Sequence, residues 1–250
     1  MFSNGIFYCE LTRLLLYVTK MGIRIMASYF LEIYTKHKSH IKFTELFRKN
    51  VVPRIIKNEI VSSVHLYTPC QNQELAPSDQ NPPRLTLELN CKTVTMIEMI
   101  LRLISDKEWF VMPEGYSASH QVFDKIKYPC FGENNPEKRK AKISYVVRYS
   151  QPILDEKKFV KFYLTHHPQV LAHMPAIRNI LCYVPLNWDD PLDLPNSNYI
   201  VGNEVVFDSL KDLKMALKSN ARKRAREDMM ANPVRPGPVT HFTLTREDFN

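Results

Sequence analysis

Moving a proton near neutral pH needs a side chain that changes charge there, set where an apolar residue would otherwise sit. The stretch 159–185, FVKFYLTHHPQVLAHMPAIRNILCYVP, supplies one. Phe159, Tyr163, His166 and Val170 fall at i, i+4, i+7 and i+11, on one helical stripe with Phe162 beside them. His166 on that stripe is either a satisfied core histidine or a general acid or base presented into a cavity, since a neutral imidazole with an ordinary pKa of about 6.5 exchanges protons at physiological pH. Pro175 then breaks the pattern, and residues 176–184 read as a strand closed by Pro185. Tyr183 on that strand and Tyr145 on an earlier one could donate a hydrogen bond to a developing enolate or carbonyl oxygen.

Phe162, Tyr163 and His173 are expected to line the same cavity. His173 lies two turns beyond His166 on its face, whereas His167 is about 100° around the helix and should meet solvent. Trp188, with Asp189 and Asp190, belongs to the loop after Pro185, where a lid over a pocket mouth would lie. No metal site is expected from His166, His167 and His173, because no Asp or Glu stands at ligand spacing within the helix.

The elements that must hold these residues occur twice. A shift of about 116 residues without gaps puts Phe43 on Phe159, Leu46 on Phe162, Phe47 on Tyr163, Tyr67 on Tyr183, Pro69 on Pro185, Tyr29 on Tyr145 and Glu88 on Glu204. Asn50 stands where the second copy has His166, so chemistry at that position would belong to the second copy alone. Strand 29–34, helix 41–57, strand 60–67, a Pro- and Gln-rich loop 70–83, alternating strand 84–91, helix 93–104 and strand 122–128 spell β-α-β-β-α-β. Strand 143–149, helix 155–172, strand 177–184, strand 199–207, helix 209–218 and strand 239–245 repeat that order. The expected fold class is therefore α+β, two tandem ferredoxin-like units packed sheet to sheet, each covering the open sheet of the other. The boundaries are an N-terminal extension 1–28, a first domain 29–128 that is degenerate and structural, a linker 129–142, and a second domain 143–250 with the functional cavity. Asp155 is placed to cap the helix that follows, with Lys158 where a capping box would want Glu.

With 44% hydrophobic and 24% charged residues, the chain of 250 residues can bury a core in each unit and is not a disordered polymer. Its net charge of +8 is concentrated: residues 211–226 carry seven basic side chains against Asp212 alone, a net +6. That run resembles a nucleic-acid patch or a localisation tract, but without interleaved aromatics for base stacking it reads better as the solvated end of a helix. Cys9, Cys70, Cys91, Cys130 and Cys182 form no C-x-x-C pair, which fits reduced thiols in the cytoplasm and no zinc framework. The apolar run 14–18 is too short and interrupted to span a bilayer; either translation begins at Met21 or Met26 and not at Met1, or the first residues form a short amphipathic helix packed on the domain. Six glycines give no phosphate loop and no G-x-G-x-x-G turn, and G-x-S-x-G is absent, which sets aside the common ATP, nicotinamide, flavin and acyl-transfer enzymes.

The run Phe-Tyr-Leu-Thr-His166-His167-Pro168, followed by an apolar strand ending Tyr183-Val184-Pro185, resembles the EthD-like members of the dimeric α+β barrel superfamily, where a His-x-Pro on the first helix precedes the second strand. The resemblance implies a pseudo-dimeric α+β barrel within one chain, a monomer or a homodimer of such chains, and a hydrophobic small molecule as partner. It implies cofactor-independent proton-transfer chemistry, a decarboxylation, cyclisation or monooxygenation, with His166 as base and Tyr183 or Tyr145 polarising a carbonyl. Haem-binding members of the superfamily leave a haem as the minor cofactor expectation. A non-catalytic binding or assembly protein, its basic segment facing an acidic partner, is the alternative.

Overall fold

The computed structural model describes residues 25–36, 40–70, 78–79, 81–105, 112–130 and 142–249. Residues 1–24, with the candidate starts Met1 and Met21 and the alternative amphipathic helix, and nearly all of the expected linker lie outside them, whereas Met26 falls within the first strand and pairs with Lys125. In the first half, β1 (Ile25–Thr35) leads to α1 (His40–Leu46), a π-helical stretch (Phe47–Val51) and α2 (Val52–Ile56), then β2 (Val61–Pro69), β3 (Leu85–Cys91), α3 (Val94–Ser105) and β4 (Tyr116–Tyr128). The ladder slips to i−5 just before Pro53, which cannot donate to it. The second half runs β5 (Ile143–Ser150), α4 (Glu156–Leu171), β6 (Asn179–Pro185), β7 (Tyr199–Phe207), α5 (Leu210–Leu217), α6 (Asn220–Ala231) and β8 (Val239–Phe249). α6 is a separate helix, not the frayed end of the one before it: Ser219 caps its first turn, accepting from the Arg222 N–H.

All eight strands close into one barrel in the order β1-β3-β2-β8-β5-β7-β6-β4. The two four-stranded sheets do not merely face each other; they join edge to edge through β2–β8 and β4–β6. Registers in the halves agree. Tyr29 pairs Leu89 and Val122, as Tyr145 pairs Val205 and Thr243. The seams agree too, with Tyr67 opposite Arg246 and Tyr183 opposite Lys125.

Strand alternation then sorts side chains between two environments. Tyr145, Val147 and Tyr149 on β5 turn outward to the helices, while Ser144, Val146 and Arg148 turn into the barrel. The interior holds a charged network. Glu88 accepts from Lys125 Nζ at 2.6 Å and from the Tyr67 hydroxyl at 2.5 Å. Glu204 accepts from Ser144 at 2.5 Å and Tyr183 at 2.8 Å, with the Arg246 guanidinium 3.5 Å away. With the Ser28 hydroxyl donating to Glu88 at 3.3 Å, the two buried carboxylates are matched by two cations and four hydroxyls, the condition under which buried charge is tolerated.

Candidate functional site

α4 positions most of the expected residues, and its buried face differs from the expected one. Phe159, Val160, Tyr163, Leu164, His167, Pro168 and Leu171 are buried, a stripe at i, i+4, i+8 and i+12, whereas His166 and His173 are exposed. His166 is therefore not a cavity residue. It stacks on half-buried Phe162 on the outer side, with ring centroids 4.5 Å apart. His167, expected in solvent, is the one turned inward, 3% exposed, with Nδ1 2.8 Å from Asp228 of α6 and its ring against Tyr163. Phe159 and Tyr163 belong to either stripe; Val160, Leu164 and Leu171 decide between them. Pro168 cannot donate to the Leu164 carbonyl four residues back, and the Tyr128 hydroxyl does so at 2.9 Å.

Tyr183 and Tyr145 lie on opposite faces of the sheet and cannot act on one molecule. Tyr183 is in the barrel, donating to Glu204, because Ile180, Cys182 and Val184 take the helix-facing positions of β6. Trp188 is no lid on the second half either. Its loop hydrogen-bonds along β4, through Leu186 to Val122 and Ser197 to His120, which packs Trp188 onto Tyr29 and His120 of the first half. There the Tyr29 hydroxyl meets His120 Nδ1 at 3.1 Å and His120 Nε2 meets Asp190 at 2.9 Å. Tyr29 and His120 are sealed from solvent.

The matching place in the second half is open. Tyr145 and His241 stand 6.0 Å apart there, at the positions that Tyr29 and His120 hold in the first half. They line a cavity of about 330 Å³ between the outer face of the sheet, α4 and α6. Val147, Val205, Leu171, Met174, Met229 and Met230 give it apolar walls, and His167, Asn203, Arg222 and Arg226 the polar groups. Of the expected residues Tyr145 alone lines it, with Tyr163 one layer behind, bonded to the Asn203 amide.

Burial holds the His241 imidazole below its ordinary pKa; nearby Arg222 adds to this, and Asp79, whose carboxylate is 3.5 Å from Nδ1, opposes it. His241 is thus neutral and able to accept a proton at pH 7. Burial raises the Tyr145 phenol, while Arg222 and Arg226 pull it back. Asn203 is 3% exposed, and its side-chain oxygen has no hydrogen-bond partner. Exchanging its amide atoms would leave the nitrogen unpaired instead, so one polar atom is orphaned in either assignment.

Sequence reasoning missed His241, His167, Arg222, Arg226 and Asn203. The usable signal lay in α6, where Ala221 and Ala225 mark a buried edge four residues apart and Arg222 and Arg226 flank it. The haem expectation does not fit the space. A cavity of roughly 150 Å³ takes one benzene ring, so 330 Å³ accommodates about two rings and not a macrocycle. Among the described residues no cluster of three or more His, Cys, Asp or Glu is placed to hold a metal ion, and no helix is long and apolar enough to cross a membrane.

No family model and no curated protein matches the chain. Solved structures do. An anthrone oxidase-like protein matches at a TM-score of 0.60 and 12% identity, over 91% of this chain and 95% of that one. A candidate monooxygenase from Lactobacillus acidophilus matches at 0.53 and 9%, over 89% and 94%. An EthD-family protein from Bacillus halodurans covers 44% of this chain and 97% of its own at 19% identity, with a TM-score of 0.31 that carries no weight. At these identities the likeness is one of fold: the eight-stranded ferredoxin-like α+β barrel.

Proposed function

We propose that the cavity beneath α6 binds a small, largely apolar molecule and removes a proton from it without a cofactor. One observation carries this reading: the pair Tyr145 and His241 opens onto a space with apolar walls, whereas the equivalent pair Tyr29 and His120 is plugged by Trp188. In the reaction, the Asp79 carboxylate beside Nδ1 favours the tautomer with its proton there, leaving Nε2 to accept one from an acidic O–H or C–H of the substrate. The negative charge left on the substrate oxygen is stabilised by the guanidinium groups of Arg222 and Arg226 and by the Tyr145 hydroxyl as donor. The resulting enolate or phenolate can close a ring or react with dioxygen, and, once a proton is returned to a ring carbon that bears a carboxylate, that carbon can lose carbon dioxide. The monooxygenase and anthrone oxidase-like names of the fold neighbours favour the reaction with dioxygen.

This reading moves the base from His166 to His241. It treats the chain as two copies of one ferredoxin-like unit, 29–128 and 143–250, whose first copy keeps a closed version of the site. Incubation with enolisable ketones and phenols under air, followed by mass spectrometry, tests it. Turnover should survive His166→Ala and fall by about a hundredfold or more in His241→Ala; the reverse outcome would return the base to His166.

A further inference from the structure

Two guanidinium groups face this cavity. Arg222 and Arg226, four residues apart on one face of α6, both line it. Elsewhere buried or half-buried cations are matched, Arg48 by Glu247, Lys125 by Glu88, Arg178 by Asp208 and Arg246 by Asp248, and Arg148 by two backbone carbonyls and the faces of Phe30 and Tyr183. The two acids beside the cavity are already engaged, Asp228 with His167 and Asp79 with His241 and its backbone N–H. Among the described residues no ion pair is formed by Arg222 or Arg226. Burial also gives the site a direction. Arg226 is exposed at the rim, Arg222 half-buried, and Asn203 with its orphaned amide atom sits at the buried end.

We propose that the ligand is a hydroxylated aromatic carboxylate of about two fused rings, its carboxylate held at the mouth by Arg222 and Arg226 and its hydroxyl donating to the Asn203 side-chain oxygen within. A planar carboxylate suits a pair of guanidinium forks, each able to donate two parallel N–H bonds. The hydroxyl supplies the donor that the buried amide oxygen lacks. The proposal rests on the small-molecule reading of the cavity, and adds charge and orientation to it.

Titration calorimetry of the full chain with 6-hydroxy-2-naphthoate, its neutral carboxamide and 2-naphthoate tests it. The hydroxy acid should bind about tenfold or more tighter than the amide, and this preference should fall to about twofold or less in Arg222→Met/Arg226→Met. It should also bind several-fold tighter than 2-naphthoate, an advantage lost in Asn203→Leu. Equal binding of acid and amide to the unaltered protein overturns the anion assignment and leaves the cavity reading standing. Binding unchanged in Met229→Trp, which fills the half-buried wall, shows a surface site and overturns the proposal. If none of the three ligands binds, the small-molecule reading falls with it.

Discussion

A side chain added at Gly202 would place its Cβ 2.7 Å from Cδ and Nη1 of Arg148 and 2.9 Å from the Val147 carbonyl oxygen. Arg148 cannot step aside, because its guanidinium lies over the rings of Phe30 and Tyr183 and donates to two backbone carbonyls. Gly202→Ala should therefore cost about 2–4 kcal/mol in urea denaturation; a cost below about 1 kcal/mol would mean that Arg148 has slack. Asp124 offers a test in pH. Burial pushes its carboxyl up to about 6, so the folded chain holds a proton there more readily than the unfolded one. The stability this contributes is fully present below about pH 4 and is lost as pH rises through 6, leaving a half-buried charge at neutral pH. Asp124→Asn should then stabilise the protein by about 1–3 kcal/mol at pH 8 and by nearly nothing at pH 3.5. A gain independent of pH would assign the effect to packing. At this scale the sequence is least legible. His166 and His167 are adjacent on a helix whose apolar residues fit two stripes, and Tyr183 and Tyr145 read alike although the sheet separates them.

α6 joins the rest of the molecule mainly by packing on α4. Its buried side chains are Ala221 and Ala225, and the His167–Asp228 pair ties it to α4 across the cavity. Two alanines and the half-buried Met229 bury little apolar area, so the His167–Asp228 hydrogen bond carries a large share of the docking. Asp228→Ala should raise hydrogen exchange across 220–231 by about tenfold or more while the barrel strands keep their protection. Uniform loss of protection would show that α6 is part of the cooperative core. The charge run hid this helix from sequence reading, since almost every position is polar and only the spacing of two small residues marks the buried edge. Elements with apolar periodicity were legible to within a few residues: α3 was expected at 93–104 and runs Val94–Ser105, and β7 was expected and found at 199–207. The strand β4 runs from Tyr116, six residues earlier than its apolar part suggests, because His120 and Gln121 are polar residues buried by partners distant in sequence, Asp190 and Tyr199.

Across the whole molecule, the 116-residue register shows in the sequence through paired positions such as Tyr29 and Tyr145 or Glu88 and Glu204, and the same pairs recur in the strand registers. Edge-to-edge closure was not legible, because the partners in a seam, Tyr67 with Arg246 or Tyr183 with Lys125, share no local pattern. Closure couples the halves energetically. The Tyr67 hydroxyl of the first half lies 2.5 Å from Glu88 and 3.2 Å from Glu204 of the second, and the Arg246 guanidinium reaches Glu204 from a strand that pairs with β2. Burial opposes the charge on Glu88, but Lys125, His65 and the Tyr67 hydroxyl together outweigh it and hold that carboxyl at about 2. Its folded pKa is below the unfolded value, so its contribution is present above about pH 4.5 and is lost as pH falls toward 2. Because this network spans both seams, acid should release the halves together. Hydrogen exchange followed from pH 5 to pH 2 should show amides of β3 and β7 losing protection in one transition. Loss of β3 at a distinctly higher pH than β7 would mean that each sheet holds itself, and that the shared interior ties the barrel more weakly than its geometry implies.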